Sequence, residues 1–138
     1  MMDEGKIRVV IIDDSADTVD NVKTMLGLCD RQIEVAGTAF GGKEGIKLCQ
    51  KVKPDIVLID INMPDMDGLT ATNILTASMP DLGVIIMSVQ SEYEYLKKAM
   101  FSGAREYLIK PFSTDELVSA IIQTYEIQNK KKHTLKQI

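Results

Sequence analysis

Short apolar runs recur along the chain, and three of them end on charge: Asp13-Asp14 follows Ile7–Ile12, Asp60 follows Ile56–Ile59, and Lys110-Pro111 follows Tyr107–Ile109. With Ile33–Thr38, Val84–Met87 and Glu106–Ile109, these runs are short and mostly rich in β-branched residues, so they read as strands. The intervening spacing predicts helices over Ala16–Leu28, Gly42–Lys51, Gly68–Ala77, Glu92–Ser102 and Thr114–Asn129. Regular strand–helix alternation implies parallel strands joined by right-handed crossovers, with helices on both faces. Val9–Ile12 and Ile56–Ile59 are apolar on both pleat faces, as a doubly covered strand requires. The fold class is therefore α/β, a single doubly wound parallel sheet. In such a sheet, groups at the carboxyl ends of neighbouring strands converge on one crevice.

Local stop signals agree. Asp17 or Ser15 could cap the first helix and Ser91 the fourth. Ser113 and Glu116 have the spacing of a capping box. Pro54, Pro64, Pro80 and Pro111 all fall between elements. Leu117, Ala120, Ile121 and Thr124 share one face of the last helix, which should pack on the sheet. One domain is expected over residues 1–128. The stretch 129–138, with Lys130-Lys131-Lys132-His133, reads as a basic tail, either a frayed helix end or the start of a linker.

A chain of 138 residues, 45% hydrophobic and 26% charged, is long enough for one domain with a real core. With three Phe, four Tyr and no Trp, that core must be aliphatic. The net charge of −4 argues against nucleic-acid binding by this segment. No apolar stretch approaches the ~18 residues that span a membrane, and Met1–Gly5 lacks the basic-then-apolar pattern of a secretory signal. A cytoplasmic location is the expectation. Cys29 and Cys49 read as two small buried thiols.

Each acid alone has an ordinary explanation as a turn residue or a helix-start charge. Together they do not. Like charges at ~4 Å repel by about 4 kcal/mol at an effective dielectric of ~20. Lys110 would offset part of this, and a divalent cation would offset more. Carboxylates, a backbone carbonyl after Asp60 and water form an oxygen-only donor set, which suits Mg²⁺ or Mn²⁺ rather than zinc.

These residues, in this order, resemble the receiver domains of two-component response regulators. Asp60-Ile61-Asn62-Met63-Pro64-Asp65-Met66-Asp67-Gly68-Leu69 is similar to the family's phosphoacceptor loop, Asp13-Asp14 to its acidic pair, and Lys110-Pro111-Phe112 to its Lys-Pro-Phe turn. Ser88 and Tyr107 match its hydroxyl and aromatic switch positions. The likeness covers about Ile7 to Tyr125. It implies a flavodoxin-like (β/α)5 fold with strand order 2-1-3-4-5 and a cis Lys110–Pro111 bond. It also implies roles. Asp60 would be the phosphoacceptor, with Mg²⁺ held by Asp13, Asp14, Asp60 and the Asn62 carbonyl. Lys110 would offset charge on the phosphoryl oxygens. Ser88 and Tyr107 would carry the switch, while Asn62, Val89 and Gln90 would tune rates. The implied partners are a sensor histidine kinase or phosphotransfer protein, and an output domain or protein meeting the face of helix four, strand five and helix five.

Two departures qualify the likeness. Val89 stands where the family more often has a smaller residue, and Ala104-Arg105-Glu106-Tyr107 lacks the paired acids of receivers with winged-helix outputs. The stretch from Val89 to Met100 instead resembles receivers fused to pilus-assembly-type ATPases, which would make this chain the front of a longer protein. A metal-dependent phosphohydrolase is a rival reading, but it needs an Asp-x-Asp pair, and here the acids are adjacent. A phosphate-independent interaction module is the other rival. A flavin site lacks its Ser/Thr-rich loop, Gly41-Gly42 reads as a plain loop, and His133 is remote from the acids. The expected role is a self-phosphorylating signalling domain, not a metabolic enzyme.

Overall fold

Alternation of side chains along the central strands builds two apolar layers. The computed structural model describes residues 6–29 and 32–137, with side chains through residue 131. Its elements are β1 (Ile7–Ile12), α1 (Ala16–Gly27), β2 (Ile33–Ala39), α2 (Gly42–Val52), β3 (Ile56–Asp60), α3 (Gly68–Ser78), β4 (Gly83–Ser88), α4 (Tyr93–Ser102), β5 (Glu106–Ile109) and α5 (Thr114–Gln137). The strands form one parallel sheet in the order β2-β1-β3-β4-β5, the expected flavodoxin-like arrangement.

Val10, Ile12, Val57, Ile59, Val84 and Ile86 turn to one face, where Cys49 of α2, Ala71 and Leu75 of α3 and Ala99 of α4 close over them. Val9, Ile11, Leu58, Ile85 and Met87 turn to the other, beneath Val19, Val22 and Leu26 of α1 and Leu117, Ala120 and Ile121 of α5. Burial on both faces is why these strands lack polar alternation. Each such side chain contributes about 1.5–3 kcal/mol when fully removed from water, so packing rather than strand propensity holds the sheet. No helix among the described residues is long and apolar enough to cross a membrane.

Ser15 is the cap of α1, its side chain accepting from the Thr18 N–H at 3.3 Å, and Asp17 sits in the first turn instead. The capping box at α5 is complete: Ser113 Oγ accepts from Glu116 N–H at 3.0 Å, and Glu116 Oε1 from Ser113 N–H at 2.9 Å. The Lys110–Pro111 bond is cis. Thr124 is buried along with Leu117, Ala120 and Ile121, as their shared face requires.

Three expectations are corrected. Ser91 does not cap α4. The chain stays extended through Glu92 (φ −68°, ψ 144°), which takes the cap position without a side-chain hydrogen bond, so the helix starts one residue late. α5 continues to Gln137 rather than ending at Asn129. Lysine is a good helix former, so the Lys130–Lys132 run continues the helix rather than breaking it. Cys49 is buried, with burial pushing its thiol up to about 12. Cys29 is only half-buried, because it lies beyond the C-cap Leu28, itself 75% exposed. Met1–Gly5 and the side chain of His133 lie outside the described residues.

Candidate acidic site at the strand ends

Parallel register places the charged residues side by side. Ile12 pairs with Ile59, so Asp13 and Asp60 stand at the same level on adjacent strands. Ser88 pairs with Ile109, which brings Ser88 and Lys110 to the same edge. Asp13, Asp14 and Asp60 each offer a carboxylate oxygen, and these atoms lie within 4.8 Å of one another. Lys110 Nζ donates to Asp13 Oδ2 at 2.9 Å and to Asp60 Oδ1 at 3.1 Å. Asp13 is 1% exposed and Asp60 8%, while Asp14 is open to solvent.

The surroundings hold these groups in place. Asp13 Oδ1 accepts from the Ser15 N–H at 2.9 Å, an Asx-type turn that fixes the carboxylate as the chain enters α1. Asp13 N–H donates to Ala39 O at 3.1 Å, tying the ends of β1 and β2. Burial raises the Asp60 carboxyl above its ordinary range; Lys110 opposes this, and the charges of Asp13 and Asp14 add to it. Burial alone would lower Lys110. The hydrogen bond to Asp13 and the charges of Asp60 and Asp13 outweigh that and raise it, so the ammonium stays charged at neutral pH. Three carboxylates against one ammonium leave the crevice negative. A hard divalent cation fits this arrangement: every donor is oxygen, the three converge, and Asp14 leaves an open side for water.

Asn62 lies exposed in the loop after β3. The loop is pinned where it meets α3. Gly68 N–H donates to Ile61 O at 2.7 Å, and a Cβ at Gly68 would overlap the Asp60 carbonyl oxygen, so glycine is required there. Asp67 caps α3, accepting from Thr70 N–H at 2.8 Å. Sequence reasoning missed that cap, although an Asp just before a helix start signals it. It also missed Asp65, whose carboxylate accepts from Gly42 N–H at 3.0 Å and Lys43 N–H at 2.9 Å at the start of α2. No local spacing announces a contact between a loop and the start of a helix more than 20 residues earlier in the chain.

Ser88 is 1% exposed, and its Oγ accepts from Gln90 N–H at 3.0 Å. Ser88 O accepts from Lys110 N–H at 2.7 Å. Tyr107 is half-buried against the α2–α3–α4 side of the core, and its hydroxyl donates to Gln90 O at 2.8 Å. Gln90 is thus gripped from both sides, by Ser88 and by Tyr107. Val89 between them is 64% exposed.

The family model for the response regulator receiver domain matches residues 9–122. The chain is 38% identical over 121 residues to the transcriptional regulatory protein MctR of Rhizobium johnstonii, covering 88% of this chain and 56% of that protein. It is 34% identical over 115 residues to the chemotaxis protein CheY of Listeria monocytogenes, covering 83% and 95% respectively. It spans about half the length of the curated transcriptional regulators it matches. The receiver domain of the response regulator NarL from Mycobacterium tuberculosis superposes with a TM-score of 0.83 at 28% identity, covering 88% of this chain and 97% of that one. A chain of the CheX–CheY complex with BeF₃ and Mg²⁺ from Borrelia burgdorferi superposes at 0.82 and 25% identity, covering 89% and 92%. With its sheet order, its converging acids and this match over most of its length, the chain belongs to the response regulator receiver domain family.

Proposed function

We propose that this chain accepts a phosphoryl group on Asp60 from a phosphohistidine of a sensor histidine kinase or phosphotransfer protein, in the cytoplasm, and signals the change through Ser88 and Tyr107. The observation that carries this reading is the Lys110 ammonium spanning Asp13 and Asp60 at 2.9 and 3.1 Å beside a third carboxylate. An Asp60 oxygen attacks phosphorus as the phosphorus–nitrogen bond breaks. The bonding pair leaves with the donor's imidazole, which takes up a proton. Lys110 remains within reach of the transferred oxygens and offsets their charge. Asp13, Asp14, Asp60 and the Asn62 carbonyl would hold Mg²⁺ (or Mn²⁺), which when bound neutralises charge on the transferring group. The BeF₃ and Mg²⁺ present in the Borrelia burgdorferi complex support the same pairing here.

A phosphoryl group adds about −1.5 to −2 charge and three strong acceptors. Ser88 Oγ already accepts from Gln90 N–H, so its own proton is available to a phosphoryl oxygen. Any shift of Ser88 pulls on Gln90, the residue Tyr107 holds through its carbonyl. That linkage passes the change to the α4–β5–α5 face, where Tyr93, Leu96, Met100, Phe101 and Ile109 are exposed to an output partner. Asn62, Val89 and Gln90 tune the lifetime of the phosphorylated form. Residues 1–128 are the phosphoacceptor unit. A receiver of this kind is a signalling domain that acts on itself rather than a metabolic enzyme.

The test is incubation with acetyl phosphate or phosphoramidate and Mg²⁺, followed by intact mass. One phosphoryl gained by the wild type and none by Asp60→Asn is the expected result. No gain with any donor, a partner kinase included, would overturn the reading.

A further inference from the structure

Two cavities open at the foot of the sheet, by the amino ends of β4 and β5, on the edge opposite the acids. They meet at the loop before β4 and share Pro80, Leu82 and Gln128. Gln128 of α5 is 6% exposed and bonded at both ends of its amide. Its Nε2 donates to Pro80 O at 3.3 Å and to Leu82 O at 3.2 Å, which leaves Oε1 to accept from Arg105 Nε–H at 3.0 Å. A Cβ at Gly83 would come within 2.6 Å of Thr124 Cγ2 and 3.3 Å of Gln128 Cγ, so α5 sits close against the start of β4. The backbone of Arg105 is fixed as well, its N–H donating to Val84 O at 2.8 Å. The guanidinium is thus held at Nε by a buried amide, while Nη1 and Nη2 have no partner among the described residues.

The smaller cavity, about 310 Å³, is bordered by Arg105 and Lys131 with Thr76, Met100, Leu82 and Gly103, and by no carboxylate among the described residues. Neither cation has an ion-pair partner among those residues. The larger cavity, about 520 Å³, sets Asp55 and Asp81 against Lys53 and so favours no anion. In a chain of net charge −4, two cations therefore stand unneutralised around one cavity. We propose that this cavity binds a small phosphomonoester: Arg105 Nη1 and Nη2 and the Lys131 ammonium meet the phosphate oxygens, and the organic part lies along Met100 and Leu82. A planar guanidinium can engage two phosphate oxygens at once, and fixing its Nε beforehand lowers the ordering cost of binding. A monoester carries about −1.5 to −2 charge at neutral pH and balances both cations, which a carboxylate would only half do. The volume is at the lower limit of small-molecule sites, ~300 Å³, so a phosphate and one ring fit and a dinucleotide does not. Nothing in this site draws on Asp60 or on Mg²⁺.

The test is titration of the chain with phenyl phosphate in chelator, followed by backbone amide shifts, at low ionic strength because these cations are exposed and salt screens them. Saturable shifts at Gly103, Ala104, Arg105 and Gln128 are expected, with the amides of Asp13 and Asp60 unmoved. Arg105→Ala should weaken binding about 10-fold or more, the loss of a hydrogen bond to a charged group. Arg105→Lys, which keeps the charge without the fork, should fall between. Should Arg105→Ala fail to fold, Lys131→Ala, on an exposed stretch of helix, should weaken binding in the same direction. Inorganic phosphate should move the same amides only at higher concentration. No saturable shift, shifts centred on the acids, a response equalled by sodium chloride at matched ionic strength, or equal binding by the wild type and both alanine variants would each overturn the proposal. Inorganic phosphate that binds as tightly as phenyl phosphate would overturn the assignment to a monoester.

Discussion

At Asp60 two demands oppose each other. As the proposed phosphoacceptor its carboxylate must be accessible, yet it is 8% exposed and shares its crevice with two more acids. Burial and those charges raise its carboxyl despite Lys110. A carboxyl raised above the unfolded value of about 3.9 stabilises the fold below that value, and the contribution is lost as pH rises through the folded value. At neutral pH the ionised Asp60 therefore costs stability. Asp60→Asn should melt higher than wild type in chelator at pH 7, at roughly 4 °C per kcal/mol relieved. A lower melting point would mean that the Lys110 bond outweighs burial and repulsion. Asp65 has the opposite sign. Hydrogen bonds from Lys43 and Gly42 lower its carboxyl, so its contribution is present above about 3.9 and is lost as pH falls through the folded value. The amide shifts of Gly42 and Lys43 should titrate with a midpoint below that of an ordinary Asp. A midpoint at or above about 4 would show that the tether does not hold the charged form.

Among the elements, the join of β3 to α3 carries the tightest backbone constraint, and glycine substitutions expose it. A Cβ at Gly68 would overlap the Asp60 carbonyl oxygen, whereas one at Gly27, the last residue of α1, would meet nothing within 4 Å. Replacing a glycine by alanine where the backbone permits gains about 0.4–1 kcal/mol, but forcing extra atoms into a packed site costs about 1–3 kcal/mol or more. Gly27→Ala should therefore be neutral or stabilising in urea unfolding, and Gly68→Ala should destabilise and slow phosphorylation by acetyl phosphate. Equal effects would show that the join has room to relax. Element positions were legible because period and composition carry them: β1, β3 and β4 each hold four consecutive apolar residues, Val9–Ile12, Ile56–Ile59 and Val84–Met87, and the Ser113–Glu116 box marks the start of α5. Element ends were less legible. Ser91 looks like a cap, but the backbone stays extended one residue longer. A lysine run reads equally as helix or tail until the helix is seen to continue.

Over the whole molecule, the acids and Lys110 were legible because each ends an apolar run, and parallel strands deliver such ends to one side. Which strands are neighbours came from family resemblance, since periodicity says nothing about strand order. The Asp65 anchor was not legible at all, because it joins the loop after β3 to the first turn of α2, and the two meet only in three dimensions. This convergence has a consequence for global stability. The acids come from β1 and β3, neighbours at the centre of the sheet, and an unfolded chain cannot bring them together. A cation they share binds the native state alone and stabilises it by RT ln(1 + [L]/Kd), about 2.7 kcal/mol at 100 times Kd. Thermal unfolding should therefore rise with added Mg²⁺ in the wild type, and much less in Asp14→Ala, which keeps the buried Asp13–Lys110–Asp60 bridge but loses the exposed ligand. Mg²⁺ that raises both proteins equally would be acting by screening across the surface. Mg²⁺ that raises neither, at concentrations that saturate ordinary carboxylate sites, would mean that the three acids do not share a cation.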